Sequence, residues 1–357
     1  MPLITRNIFI DTEFFLKAEL DFSSDSIRSF EELCQKSELT HITSTVVVQE
    51  VRKKILEYVK EGLKGIENFK KRSGFLRNDE KIADRVFPDV SEEELKAKGY
   101  ADFDNFLDAT NAHIIDMRDV DGNEILDMFF KQKRPFGAAK KQNEFRDAFS
   151  LLSIRSILKA GEKIYVISAD PDHKAFCNVN EQFVSIDTLS ALLDVYYKHI
   201  DKRSEFVDAF LDRKKQEIIQ DIKVRLESAD GFNSSTWEDA ELDRFQVVEV
   251  GDFEPEIIHL DDVSCRIVFD VEVKFLVEVM GPDTANGHYD REDDVLYTFE
   301  SVEREEEEEH SFSIELDLTF ESDEGEFIND EFNLNIVDLQ RGIEFSVEEF
   351  PYEDPRM

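Results

Sequence analysis

Asp11, Glu50, Asp147 and Asp170 are the side chains around which chemistry can be built. Asp11 closes the apolar run Asn7-Ile8-Phe9-Ile10, and Asp170 follows Tyr165-Val166-Ile167-Ser168-Ala169. Glu50 falls about one turn into a long helical pattern that begins at Ser44. Asp147 lines up with Leu151, Ile154 and Leu158 at spacings of 4, 3 and 4, so it extends a core-facing stripe instead of pointing to solvent. An ionised carboxylate there is costly unless something positive satisfies it. Gathered carboxylates repel one another, and a divalent cation is the usual remedy. Oxygen donors without Cys or His select Mg2+ or Mn2+. In a chain with 82 Asp and Glu, a single acid is ordinarily a surface residue. Four acids at the tops of core elements of one domain are a different pattern.

The elements that must position them read as follows. Short apolar runs at Asn7–Ile10, His41–Thr43, Lys163–Ala169 and Phe183–Ile186 predict strands buried on both faces. Between them, residues 26–38, a long helix from Ser44, residues 142–160 and a helix capped by Asp187 predict helices. The long helix carries an apolar stripe at Val47, Val51, Ile55, Val59, Leu63 and Ile66. Residues 73–130 read as helices with a loop around Asp116–Asn123. Strand–helix alternation predicts a parallel sheet flanked by helices. Ligands of such a sheet sit outside the carboxyl ends of the strands, where Asp11 and Asp170 both fall.

The second half changes pattern. Residues 201–228 predict a charged helix. After about Asn233 the period becomes two, most clearly from Cys265 to Met280, where Phe269, Val271, Val273, Phe275, Val277 and Val279 alternate with mostly charged residues. Further strands are expected at 295–302, 311–320, 332–337 and 343–349, giving an antiparallel sheet with one apolar and one acidic face. The run Glu305–Glu309 is read as a solvated loop or strand end. Three parts are therefore expected: an α/β domain over 1–200, a charged helical connector over 201–232 and a separate acidic antiparallel β domain over 233–357.

Charge supports the division. Residues 1–200 hold 29 Lys+Arg and 35 Asp+Glu, whereas 201–357 hold 14 and 47. The total of −39 excludes a wholly basic nucleic-acid binder. No apolar run is long enough to span a membrane. The opening Met-Pro-Leu-Ile-Thr-Arg lacks the pattern of a secretory signal. Cys34, Cys177 and Cys265 are too far apart in sequence for a CxxC pair, which argues against a disulfide framework or a structural zinc site. A soluble, cytoplasmic protein is the expectation.

The four acids lie in segments that together resemble the motifs of PIN-domain nucleases. Ile8-Phe9-Ile10-Asp11-Thr12-Glu13-Phe14-Phe15 resembles the opening motif, and Thr43-Ser44-Thr45-Val46-Val47-Val48-Gln49-Glu50-Val51 the second. Asn143-Glu144-Phe145-Arg146-Asp147-Ala148 is similar to the third, and Ile167-Ser168-Ala169-Asp170-Pro171-Asp172 to the fourth. Arg134-Pro135-Phe136 with Lys140-Lys141 resembles a bacterial PIN-like branch of unknown function. The resemblance covers roughly residues 4–200 and departs at Glu13, where the family often has Asn. It implies a metal-dependent endoribonuclease, with Asp11, Glu50, Asp147 and Asp170 holding one or two Mg2+ or Mn2+ ions that activate water. It also implies Asp172 as a further ligand or outer base, with Thr12 and Ser168 orienting ligands through their hydroxyls. By analogy a bacterial toxin or defence nuclease would fit. Two alternatives stand beside it: a DEDD-type 3'-5' exonuclease, which would need a β-hairpin after Asp11-Thr12-Glu13, and a non-catalytic PIN scaffold that only holds partners.

RNA, with DNA as the other polyanion to consider, is the expected substrate. Lys131, Lys133, Arg134, Lys140 and Lys141 lie in an acid-free stretch, 128–143, placed to track a phosphate backbone. The lysines along the Glu50 helix are read either the same way or as a solvated face. Phe136 is read as a base-stacking ring or a core residue. The acidic C-terminal part suits a basic protein partner, and a homo-oligomer is compatible with the sequence.

Overall fold

In the computed structural model, which describes residues 2–77, 86, 90–136, 144–200, 202–290, 295–323 and 326–350, the run Ile8-Phe9-Ile10 is completely buried. It forms β1 (Asn7–Ile10), the middle strand of a five-stranded parallel sheet. Its neighbours are β2 (Thr40–Ser44) on one side and β4 (Ile164–Ile167) on the other, with β3 (His113–Ile115) and β5 (Phe183–Ile186) at the edges. Every pairing is parallel. Ile164, Tyr165, Val166 and Ile167 are as buried as β1, which explains apolar residues on both faces of each strand.

The helices between these strands are α1 (Thr12–Lys17), α2 (Asp25–Gln35), α3 (Thr45–Arg72), α4 (Glu92–Ala109), α5 (Gly122–Phe130), α6 (Glu144–Ile157), α7 (Pro171–Val179) and α8 (Leu189–Ile200). The stripe of α3 is buried at Val47, Val51 and Ile55, whereas Ile66 is 46% exposed, because only the first half of this 28-residue helix lies on the core. The segment after β1 is two helices and β1 pairs with β2 in parallel, so the hairpin a DEDD arrangement needs is not formed there. α8 is capped by Thr188, whose hydroxyl accepts from the Ala191 N–H at 3.0 Å; the expected cap, Asp187, instead receives Lys174 at 2.8 Å.

The chain divides into two compact units, 1–199 and 200–357. The helix expected as a connector is α9 (Arg203–Glu227). It lies inside the second unit and buries Val207, Phe210, Ile218, Ile222 and Leu226 against β7 (Glu241–Val250) and β13 (Glu326–Ile336). The antiparallel sheet runs β13, β12 (Ser301–Asp323), β9 (Ser264–Pro282) and β7, with β8 (Glu256–Leu260) also on β9, while β6 (Gly231–Asn233) pairs in parallel with β14 (Ile343–Phe345) and β10 (His288–Asp290) pairs with β11 (Val295–Tyr297). Alternate β9 residues from Ile267 to Val279 are buried, as period-two patterning requires.

The run Glu305–Glu309 is the interior of β12 (Ser301–Asp323), paired residue by residue with Glu278 to Lys274. This corrects the loop reading. Glu305, Glu307 and Glu309 share one face, while Glu306 and Glu308 turn to the other, where the Arg304 guanidinium and the Ser346 N–H satisfy them. The β9 ladder and these two partners let five consecutive acids sit in a strand.

Candidate active site

Three core elements end at one edge of the sheet. Strand order departs in opposite directions from β1 to β2 and from β1 to β4, so the carboxyl edge around β1 is the switch point of the fold. Asp11 follows β1, its N–H donating to the Ile167 carbonyl of β4 at 3.1 Å. Its carboxylate caps α1 by accepting from the Glu13 N–H. Asp170 follows β4 and caps α7, accepting from the Asp172 N–H at 2.7 Å, with Pro171 as the first helical residue. Ser44 ends β2 and caps α3 through the Val47 N–H, and its hydroxyl also shares a 2.8 Å hydrogen bond with Ser150 on α6. That buried pair joins the start of α3 to α6, and so brings Glu50 and Asp147 to the same place.

His173 stands at the centre. Its ring is buried on the first turn of α7, with Nδ1 3.7 Å from Asp11 Oδ2 and Nε2 4.0 Å from Asp147 Oδ1. Nδ1 has no hydrogen-bond partner. Ser168 Oγ lies 3.3 Å from Asp11 Oδ2 and 3.4 Å from Glu13 Oε2. Thr12 Oγ1 donates to Glu50 Oε2 at 3.2 Å, and the Arg146 guanidinium pairs with Glu50 Oε1. Asp172 turns to Arg134 at 2.6 Å.

Electrostatics tie the four acids together. Burial pushes the Asp147 carboxyl up to about 6; His173 opposes the shift, while Asp11, Glu50 and Asp170 add to it. Burial also raises Glu50, against the pull of Arg146 and the Thr12 hydroxyl, with Asp11 adding to the rise. A group whose proton is held more tightly by its anionic neighbours is a group short of positive charge.

Among the described residues no three His, Cys, Asp or Glu side chains stand close enough together to hold a metal ion as they are placed. Glu50 is engaged by Arg146, and Asp172 by Arg134. The donor chemistry nevertheless fits a divalent cation: clustered carboxylate oxygens, a carboxyl with a raised proton affinity and a buried imidazole nitrogen without a partner.

The expected phosphate-tracking residues divide. Lys131 and Lys133 both pair with Asp127, at 2.5 and 3.3 Å, and Arg134 reaches Asp172. Lys140 and Lys141 lie outside the described residues. Phe136 is a core residue, packed on Phe129 and Phe145. Sequence reasoning missed His173 and Arg146. The signals were present: His173 stands one helical turn after Asp170, and Arg146 immediately precedes Asp147.

Residues 8–173 match the family model of the PIN domain. No curated protein and no solved structure matches the chain. All four acids, His173 and both arginines fall inside the matched span.

Proposed function

With a PIN domain as the first unit of the chain, a nuclease-like fold, we propose that the protein is a metal-dependent endoribonuclease whose site is the acidic cluster at the β1 edge. The observation that carries this reading is geometric: the His173 ring lies within 4.0 Å of both Asp11 and Asp147, beside Glu50 and Asp170, whose charges also act on the Asp147 carboxyl. Asp11, Glu50, Asp147 and Asp170 would hold Mg2+ or Mn2+. When bound, such a cation activates water and neutralises charge on the phosphate being cleaved.

The chain's own residues prepare that chemistry. The caps that Asp11 and Asp170 make fix their backbones, and Asp11 Oδ2 also faces Ser168 and His173. Ser168 orients Asp11, and Thr12 orients Glu50. Arg146 and Arg134, 45% and 44% exposed, reach from the rim onto Glu50 and Asp172. A phosphodiester offers both guanidiniums a competing anion, so substrate binding would draw them off the carboxylates. Asp172, once released, would serve as a further ligand or an outer base. Arg134, Lys131, Lys133, Lys140 and Lys141 would steer the RNA backbone. The acidic sheet of the second unit is on this reading a surface for a basic protein partner.

Cleavage of internally labelled RNA with Mg2+ or Mn2+ tests the proposal. Internal cuts are expected, falling by at least about 100-fold in Asp11→Asn. Cleavage from the 3' end alone would favour an exonuclease, and preference for DNA would change the substrate. Equal activity in wild type and variant would overturn the assignment of the site.

A further inference from the structure

His173 belongs to no motif that led to the acidic cluster, yet it is enclosed in it, with the side chain 3% exposed. A buried imidazole normally has both nitrogens hydrogen-bonded. Here Nδ1 has no such partner. It faces Asp11 Oδ2 across 3.7 Å, and Nε2 faces Asp147 Oδ1 across 4.0 Å. Both gaps exceed the roughly 2.7–3.2 Å of a nitrogen–oxygen hydrogen bond.

Burying a polar nitrogen without a partner costs about 1–3 kcal/mol, and the ring holds it toward a carboxylate without closing the last half-ångström. Nitrogen and oxygen ligands each stand about 2.0–2.2 Å from a small divalent ion. Two atoms on one ion can therefore be up to about 4.2 Å apart, and closer when the angle between the bonds is bent. The Nδ1–Asp11 distance lies in that range.

The placement of the ring is set by the same elements that set the acids. Asp170 caps α7, Pro171 starts it, and His173 follows on the first turn. Phe176 and Cys177, one turn further on, are buried and anchor the helix. The ring therefore moves with Asp170, not independently of it.

We propose that His173 Nδ1 is a nitrogen ligand for the metal of this site, beside Asp11, and that it makes the site select Mn2+ over Mg2+. The inference rests on the metal-dependent reading given above and sharpens it. Carboxylates alone suit Mg2+ and Mn2+ alike. Mg2+ is a hard ion that keeps oxygen ligands and waters, whereas first-row transition ions accept imidazole readily. One nitrogen among oxygens therefore separates the two ions where a purely acidic cluster would not. A metal on Nδ1 would also explain why that nitrogen of a buried ring is left without a hydrogen-bond partner among four acids.

Pulsed electron paramagnetic resonance of Mn2+ bound to the full chain reads the nitrogen directly, without any turnover. Wild type is expected to show 14N coupling from one imidazole, and Mg2+ is expected to displace Mn2+ only in large excess. His173→Asn and His173→Phe should lose the coupling, and the Mn2+/Mg2+ preference should fall by about tenfold. The wild-type spectrum decides the point even if a variant fails to fold. Bound Mn2+ without nitrogen coupling, displaced by Mg2+ equally well in wild type and variants, would overturn the role of His173 and leave the nuclease reading standing. A wild type that binds neither ion would overturn that reading too.

Discussion

At the residue scale the most informative side chain is Asp147. Its carboxyl titrates at about 6 in the folded chain, against an ordinary value of 3.8. The folded state therefore holds the proton more tightly than the unfolded state does. The stability this supplies is full below about pH 4 and is lost as pH rises through about 6. Above that, wild type carries a half-buried charge that Asp147→Asn does not. The metal-free variant is expected to melt roughly 2–4 °C higher than wild type at pH 8, equivalent to about 1 kcal/mol after allowance for solvent screening. Differential scanning at pH 8 and pH 5 checks this, since the gain should shrink at the lower pH. An undiminished gain at pH 5 would mean that Asp147 is not the strained carboxyl. Mn2+ should raise the melting temperature of wild type more than that of the variant, through binding to the folded state.

At the element scale Asp170 has two separable tasks. It caps α7 through the Asp172 N–H, and it contributes charge to the cluster. Asn caps a helix as well as Asp does, whereas Ala does not. Asp170→Asn should keep the wild-type melting temperature to within about 1 °C and abolish RNA cleavage. Asp170→Ala should abolish cleavage and also cost about 0.5–2 kcal/mol. Calorimetry on the pair separates the tasks. A loss of stability in Asp170→Asn equal to that in Asp170→Ala would show that the carboxylate charge, not the cap, holds α7. The Ser44–Ser150 hydrogen bond works at the same scale: it ties α3 to α6, and with them Glu50 to Asp147.

At the scale of the whole molecule, the asymmetry of charge is the dominant fact. The second unit carries most of the −39 of the chain. A field of that sign repels phosphate over about one Debye length, roughly 8–10 Å at physiological salt. A chain ending at His199, shown by circular dichroism to be folded, should bind single-stranded RNA more tightly than the full chain at 50 mM salt. The difference should close as salt approaches 0.5 M. Loss of RNA binding in the folded shorter chain would make the acidic sheet part of the substrate site. A resin bearing a lysine-rich peptide should retain the full chain and release the shorter one.

What the sequence determined by itself was whatever depends on short-range order. Buried parallel strands read as unbroken apolar runs because both of their faces are covered, and the edge strand β7 and the short β3 escaped because their faces are not. Strand ends and helix starts placed Asp11, Glu50, Asp147 and Asp170, since the carboxyl edge of such a sheet follows from chain direction alone. The tertiary structure decided the rest. His173 lay one helical turn beyond Asp170, but that spacing alone does not aim its ring; only the packing of α7 on β5 brought it beside Asp11 and Asp147. Arg134 looks in sequence like a phosphate-binding cation, and folding set it on Asp172 instead. The run Glu305–Glu309 has the composition of a solvated loop, and it became a strand because β9 offered it a ladder. In each of these cases the deciding contact joins residues far apart in the chain, and its energy depends on distances that no local pattern encodes.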